Sequence, residues 1–186
     1  FFNNPYSGDS FLHSSEEFYS DAKAVMEKGE GHFAGRGRQV WHGNFFPDMQ
    51  AWDKLVPFWG RGAGGHVVFI QSPGSEMHAH MSVFPAKTYK KGHRHGPGVV
   101  IIIPSGDGYS IMWEEGKEKI VVPWHEASLF VPPNRWFHQH FNVGGYPARY
   151  LALHTLPVFA RSEKVEDKKN DQIEYPDEDP FVRETF

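Results

Sequence analysis

The feature that most limits the fold of this sequence is a series of short apolar runs between residues 65 and 157. Each run is rich in β-branched and aromatic residues, and Pro or Gly residues separate it from the next. The runs are GHVVFIQS, EMHAHMSVFP, GVVIIIP, GYSIMWEEG, KEKIVVPW, ASLFVPP, FHQHFNVG and ARYLALHTLP. Many short strands at regular spacing are typical of a β-sandwich or a closed barrel, so the sequence predicts an all-β domain.

The part of the chain before these runs carries one helix signal. Ser14 and Glu17 form a capping-box pattern, and the apolar residues that follow recur at helical spacing. This pattern predicts a helix over residues 15–28. Residues 31–64 are rich in Gly, Trp and Phe with little periodicity, which favours an extended arm laid across a surface.

The length of 186 residues is sufficient for one domain with a core and is short for two. We expect an N-terminal helix and arm at 1–60 that pack on a barrel at 61–158. Residues 159–186 are polar and mostly acidic, and this composition favours a solvated C-terminal tail.

Composition excludes several classes of partner and site. The net charge of −4 and the scattered Lys and Arg residues argue against a nucleic-acid partner. The longest aliphatic run is five residues, which is far too short to span a membrane, so we expect a soluble, cytoplasmic protein. The sequence begins with Phe1, which leaves open a targeting segment upstream. Because there is no cysteine, a metal ion would have to bind to His, Asp or Glu.

Histidines separated by one residue occur three times in the β-rich part. Side chains alternate between the two faces of a strand, so both members of such a pair point the same way. Two imidazoles on one inward face would each need a hydrogen-bond partner, and a shared metal ion satisfies both. The pairs are His78 and His80, His93 and His95, and His138 and His140.

The stretch 61–157 resembles a cupin, a small jelly-roll barrel that binds a metal ion between two sequence motifs. The first cupin motif is a Gly, five residues, His-x-His, three or four residues, Glu, six residues and Gly. His93, His95 and Gly106 match this motif, and Lys87 stands at its first glycine. No acid stands at the position of the motif glutamate.

The second cupin motif is a Gly, five residues, Pro-x-Gly, two residues, His, three residues and Asn. Pro133, His138 and Asn142 fall in register with it, whereas Ala127 and Arg135 replace its glycines. The resemblance therefore implies an all-β cupin barrel, the double-stranded β-helix, preceded by the N-terminal helix and arm.

The resemblance also implies a metal site formed by His93, His95 and His138. The motif glutamate would fall at Val99 or Val100, so this chain is similar to the minority of cupins with three-histidine iron sites. That group includes β-diketone-cleaving and thiol-oxidising dioxygenases. Three neutral imidazoles leave a divalent ion with its full 2+ charge, which favours anionic bidentate ligands such as enolates, catecholates or hydroxy acids.

These observations favour a metal-dependent oxygenase of the non-haem Fe(II) dioxygenase type with a small anionic or enolisable substrate. One divalent ion is expected; iron is favoured, and Zn, Mn, Ni or Cu also suit imidazole ligands. A redox-neutral cupin lyase, isomerase or decarboxylase and a non-catalytic ligand-binding cupin are the alternatives.

His140 and Tyr109 are the candidate catalytic residues, because either could move a proton beside the metal ion. His140 could instead be a fourth ligand or a polar residue of the barrel wall. His80 and His154 lie in predicted strands and are further candidates for the cavity. The apolar arm and the barrel edges lead us to expect a homodimer.

Overall fold

The computed structural model describes residues 39–42, 49–50, 61–71, 77–96, 98–154 and 170–186. Within these ranges the chain forms ten β-strands, a 3₁₀-helix at Tyr175–Asp177 and a short α-helix near the C-terminus. No helix of this part is long and apolar enough to cross a membrane. The elements are β1 (Gln39–His42), β2 (His66–Gln71), β3 (His78–Phe84), β4 (Thr88–Tyr89), β5 (Val99–Ser105), β6 (Gly108–Trp113), β7 (Ile120–Trp124), β8 (Leu129–Phe130), β9 (Phe137–Asn142), β10 (Ala148–His154) and α1 (Pro180–Thr185).

The strands form two sheets that enclose one interior. The first sheet has the order β1-β2-β3-β10-β5-β8, and the second has the order β4-β9-β6-β7. All pairings are antiparallel except that of β1 with β2, which is parallel. Each of the eight runs predicted from the sequence contains one of the strands β2, β3 and β5–β10. The prediction of an all-β jelly-roll barrel is therefore confirmed.

The interior of the barrel is lined by alternate residues of the strands. Tyr150 on β10 is paired with Ser82 on β3, and both side chains are buried on the inner face. Burial of a large apolar side chain contributes roughly 1.5–3 kcal/mol. The main apolar cluster on this face therefore holds the two sheets together; it comprises Phe84, Val99, Ile101, Ile103, Trp124, Ala148, Tyr150 and Ala152.

The second sheet is buried on its outer face as well. All six residues of β9 are buried, which a strand with one solvated face would not show. A second apolar cluster covers this outer face and includes Val182 of the C-terminal segment together with Ile111, Trp113, Phe137 and Phe141.

The C-terminal segment at residues 170–186, which we call the C-terminal strap, packs against this outer face. Val182 is only 2% exposed. Glu178 is buried too, and its carboxylate accepts hydrogen bonds from Gln139 Nε2 at 2.6 Å and from the Tyr89 hydroxyl at 3.0 Å. The expectation of a solvated tail is therefore wrong for these residues, because a few apolar and hydrogen-bonding side chains anchor an otherwise polar sequence.

The N-terminal part is described only in short pieces. β1, from the predicted arm, lies parallel to β2 at the edge of the first sheet, with Gln39 opposite Val68. The predicted helix at 15–28 lies outside the described residues. The division of the chain at residues 60 and 158 and the homodimer stay predictions.

Four residues with a left-handed backbone coincide with the glycine positions of the two cupin motifs. Lys87, Ala127 and Arg135 have φ angles of 56°, 65° and 66°, and Gly106 has a φ of 111°. A left-handed conformation costs a residue with a Cβ roughly 1–2 kcal/mol. The backbone thus keeps the turns of the motifs even where the glycines have been replaced, which supports the register assigned from the sequence.

We predict that Ala127→Gly stabilises the protein by about 0.5–1 kcal/mol, because glycine adopts the left-handed conformation without strain. Ala86→Gly is the matched control: Ala86 lies in a turn but does not have a positive φ. It should lose about 0.5–1 kcal/mol through the added chain entropy of glycine. Urea unfolding measures both free energies, and equal effects of the two substitutions would contradict a strained backbone at Ala127.

Candidate metal centre

Three histidines from two distant parts of the chain bring their ring nitrogens together. His93 and His95 lie between β4 and β5, and His138 lies on β9. Their ligand atoms all lie within 4.8 Å of one another, and no other such group occurs among the described residues. The Nε2 atoms of His95 and His138 are 3.1 Å apart. Two ligands about 2.1 Å from one ion would be separated by about 3.0–3.4 Å, so this distance fits a shared metal ion.

The main chain holds two of these histidines beside each other. His93 N donates to His138 O at 3.0 Å, and His138 N donates to His93 O at 2.8 Å. His93 lies outside the named strands, so this single bridge fixes its position against β9. Both side chains are buried, whereas His95 is partly exposed, so the group is closed on one side and reachable on the other.

Carbonyl groups orient the rings of His93 and His138. The Nδ1 atom of His93 lies 3.1 Å from Lys91 O, and that of His138 lies 3.2 Å from Trp136 O. A carbonyl oxygen can only accept a hydrogen bond, so each Nδ1 carries the proton of the neutral ring. The lone pair is therefore left on Nε2, the usual result when a partner group fixes the tautomer of a metal-binding histidine.

The protonation state of the group also suits a metal ion. Burial lowers the pKa of His93 well below its usual value, and the positive charge of Arg61 and the neighbouring histidines lower it further. The ring is therefore neutral at pH 7, as metal binding requires. Donor atoms, ring orientation and protonation state all fit one divalent ion held by His93, His95 and His138.

His140 lies beside this group without being part of it. Its ring is 5.5 Å from that of His138 and 6.3 Å from that of His93, measured between centroids. Its Nδ1 lies 2.7 Å from Ser110 Oγ, and Trp124 Nε1 donates to the same oxygen at 3.1 Å. Within the described residues, Ser110 has no other nearby acceptor for its own proton, so it donates to Nδ1. This arrangement assigns the proton of the neutral His140 ring to Nε2.

Two further histidines face the same interior. His154 Nε2 lies 2.9 Å from His80 Nδ1, and their rings stack with centroids 5.0 Å apart. The His154 ring is also 6.2 Å from the ring of His95. Burial lowers the pKa of His80 well below its usual value, so at least one ring of this pair is neutral. Both therefore extend the histidine-lined surface beyond the three-histidine group.

No family model and no curated protein matches the sequence. An oxalate oxidase in complex with glycolate is 19% identical, covers 57% of this chain and 59% of that chain, and has a TM-score of 0.46. An oxalate decarboxylase of Bacillus subtilis is 12% identical over 43% of this chain, with a TM-score of 0.41. A vicilin from Capsicum annuum is 13% identical over 50% of this chain, with a TM-score of 0.44.

These likenesses are partial, and no conclusion about activity rests on them. The chain spans 22% of the length of the oxalate decarboxylase and 27% of that of the vicilin. The sheet order, the left-handed motif positions and the converging motif histidines carry the assignment. The barrel has the cupin fold.

Tyr109 is not brought to the histidines, contrary to the prediction of a catalytic role. It alternates on β6 with Ser110, whose side chain contacts His140 in the cupin interior, so Tyr109 lies on the outer face. Its ring stacks on Phe141 at 4.7 Å, and its hydroxyl donates to Thr185 O at 2.9 Å. Tyr109 therefore binds the C-terminal strap and cannot move a proton at the site.

The two valines near the motif glutamate position are distinguished by the structure. Val99 is 3% exposed and belongs to the inner apolar cluster of the cupin barrel, opposite His154 in the strand register. Val100 is partly exposed and points to the opposite side of β5. Of the two, Val99 is therefore the residue on the face that carries the histidines.

Asn142, the last residue of the second cupin motif, has a structural role. Its Nδ2 donates to Pro85 O at 3.0 Å and to Tyr146 O at 2.8 Å, and its Oδ1 accepts from Gly144 N at 3.0 Å. The fully buried amide therefore holds the connection between β9 and β10 in place.

The C-terminal strap clamps the segment that carries His93 and His95. Asp171 accepts hydrogen bonds from Arg94 Nε at 3.1 Å and from Arg135 Nη2 at 2.8 Å. Two main-chain hydrogen bonds add to this clamp, from Arg94 N to Asp171 O at 2.9 Å and from Ile173 N to a carbonyl beside His93 at 2.8 Å. Burial alone would raise the pKa of Asp171, but the hydrogen bonds from Arg135 and Arg94 hold it below its usual value.

Sequence reasoning did not find this clamp. Asp171 and Arg94 are separated by 77 residues. In the sequence, Asp171 is one acid among many in a polar segment, and no local pattern distinguishes it. The nearest signal for the clamp in the sequence is that each ligand-bearing motif contains an arginine, Arg94 or Arg135, that the motif itself does not require.

We predict that Asp171→Asn weakens metal binding by about tenfold or more, because the segment that presents His93 and His95 loses its ionic anchor. Asp179→Asn is the control: Asp179 caps α1 and pairs with Lys119 at 2.6 Å, an interaction of the same strap that does not contact the ligand segment. The Kd for Co²⁺, measured by competition with a chromophoric chelator, should rise in the first variant only. Equal Kd values in both variants would contradict the clamp.

Proposed function

We propose that this protein is a metal-dependent cupin oxygenase of the non-haem Fe(II) dioxygenase type, acting on a small anionic or enolisable organic substrate. The observation that carries the proposal is the convergence of three histidines, with no carboxylate in the group that the described residues form. Three protein ligands leave positions open for exogenous ligands. The partial exposure of His95 gives those ligands a way in.

The charge of the site supports an anionic substrate. Neutral imidazoles do not offset the charge of a divalent ion, so chelating anions are bound more strongly than at a site with a carboxylate ligand. A bound ferrous ion would supply both this Lewis acidity and electrons for reaction with dioxygen. Zn, Mn, Ni and Cu also suit the ligands, and elemental analysis of the isolated protein distinguishes them.

His140 is the residue to which we assign a catalytic role, as a hydrogen-bond donor beside the metal ligands. It is fully buried, it neighbours His138, and Ser110 fixes the orientation of its ring. With the proton on Nε2, the neutral ring donates a hydrogen bond from Nε2, while its basic atom, Nδ1, is occupied by Ser110. A role as hydrogen-bond donor to an anionic substrate follows from this arrangement.

We predict that His138→Ala loses most of the bound metal and nearly all turnover, because two imidazoles hold a divalent ion poorly. His125→Ala should change neither, since His125 is exposed and its ring is hydrogen-bonded to the nearby Glu126 O. His140→Asn should keep the metal and lose turnover by about 10²–10³-fold, because its amide does not reproduce the position of the Nε2–H donor. The measurements are metal per folded protein and oxygen uptake by Fe(II)-loaded protein with a panel of enols, catechols and hydroxy acids.

Two outcomes of this experiment would reject parts of the proposal. Full metal occupancy in His138→Ala would place the metal site elsewhere. Formation of the same product without oxygen by the Zn²⁺- or Mn²⁺-loaded protein would reject the dioxygenase assignment in favour of a redox-neutral lyase, isomerase or decarboxylase.

We predict that Val99→Glu keeps or improves metal retention but slows turnover of a chelating anionic substrate. A carboxylate on the inner face of β5 would lower the charge of the site and compete with the substrate at high effective concentration. Val100→Glu is the control, because Val100 points to the opposite side of the strand and is partly exposed. If Val99→Glu unfolds with no change in metal per folded molecule, Val99 only fills the core and the prediction is wrong.

A further inference from the structure

A lysine lies inside the cupin barrel, and no acid of the described residues lies beside it. Lys90 follows β4, and because Tyr89 points outward to stack on Phe141, the side chain of Lys90 points inward. It is 1% exposed, and its Nζ lies 2.5 Å from Ser82 Oγ. The rings of Phe84 and Tyr150 flank the amine, with centroids at 5.3 and 5.4 Å.

Burial of this amine is unfavourable without a counter-ion. An ammonium group taken out of water costs several kcal/mol unless an anion compensates it. Burial lowers the pKa of Lys90 to about 7, and the positive charge of Arg61 adds to the effect. The only buried acid among the described residues, Glu178, lies on the outer face of the second sheet and is bound to Gln139 and Tyr89. The barrel therefore holds an amine that is partly protonated near pH 7, and no side chain of the described interior offers it a negative charge.

Hydrogen-bond donors also outnumber acceptors around Lys90. A lysine ammonium has three N–H donors, and serine and tyrosine hydroxyls add one each. Ser82 Oγ accepts from Lys90 and is also hydrogen-bonded to the Tyr150 side chain. The one further acceptor contacted by Ser82 is His66 O, at 3.5 Å. An anionic group with several acceptor lone pairs would complete this arrangement.

Lys90 belongs to the same interior as the three-histidine group. The Tyr150 ring, which contacts Lys90, lies 4.8 Å from the ring of His140. His140 in turn lies 5.5 Å from the ring of His138. Lys90 and His93 are three residues apart, and an extended chain spans at most about 10 Å over that length. Lys90 is therefore joined to the metal ligands by a continuous row of inward-facing rings, those of Tyr150 and His140.

We propose that Lys90, with the hydroxyls of Ser82 and Tyr150, binds a second anionic group of the substrate. The substrate class is then a small dianion, such as a dicarboxylate of about four to six carbons, with one end at the metal ion and the other at Lys90. This inference rests on the proposed function, because it takes the three-histidine group as the site of the first anionic group.

The test compares the binding of dicarboxylates and monocarboxylates of equal chain length to Co²⁺-loaded protein. Isothermal titration calorimetry with succinate, glutarate and adipate, and with butyrate, valerate and hexanoate, gives the affinities. In the wild type we expect at least one dicarboxylate to bind about tenfold more tightly than its monocarboxylate counterpart. Lys90→Met, which keeps an unbranched side chain one atom shorter and removes the charge, should abolish this preference and leave the metal content and the monocarboxylate affinity unchanged.

Lys119→Met is the matched control, because Lys119 lies outside the barrel and pairs with Asp179. It should keep the dicarboxylate preference. Lys90→Met removes a buried charge, so its melting temperature should equal or exceed that of the wild type. A loss of the dicarboxylate preference at such a melting temperature is therefore not caused by a folding defect.

Failure of this inference is distinguishable from failure of the proposed function. Equal affinity of the wild type for the two carboxylate series, or an unchanged preference in Lys90→Met, overturns the role of Lys90. Carboxylate binding that persists unchanged in metal-free His138→Ala instead overturns the three-histidine group as the site of the first anionic group.

Discussion

The two main-chain hydrogen bonds between His93 and His138 are the interaction on which the rest of the site depends. His93 lies outside the named strands, and its backbone pairs with β9 on one side and with Gln172 of the C-terminal strap on the other. The first metal-binding motif is thus held like a short strand between the barrel and the strap. Since His95 is two residues further along the same segment, both ligands are positioned together by this backbone pairing.

Charge is distributed unevenly between the two faces of the second sheet. The outer face holds the carboxylates of Glu178 and Asp171, each bound by donors that include side chains of the barrel. The inner face presents histidines and Lys90, and the described interior contains no carboxylate. A metal ion would add to the positive charge of that interior. This asymmetry makes an anionic ligand the natural counter-charge of the barrel.

Much of the fold follows from local sequence. The eight predicted strand runs all contain strands, because alternating apolar residues and Pro or Gly turns act within a few residues. The sequence does not reveal β1 or β4, since β4 has two residues and β1 is paired only at the sheet edge. The replaced glycines at Lys87, Ala127 and Arg135 hide the motif turns from sequence inspection, yet the backbone retains them.

The sequence by itself determined which side chains share a face, because alternation is a property of the extended backbone. The convergence of His93, His95 and His138 was predictable in this way with the help of the motif spacing. Which face encloses the site was decided only by tertiary structure. On β6, Ser110 points inward and the adjacent Tyr109 points outward. Because the C-terminal strap covers the outer face, both faces of β6 are buried. The clamp by Asp171, like the strap itself, depends on contacts between residues far apart in the chain, and no local pattern encodes such contacts.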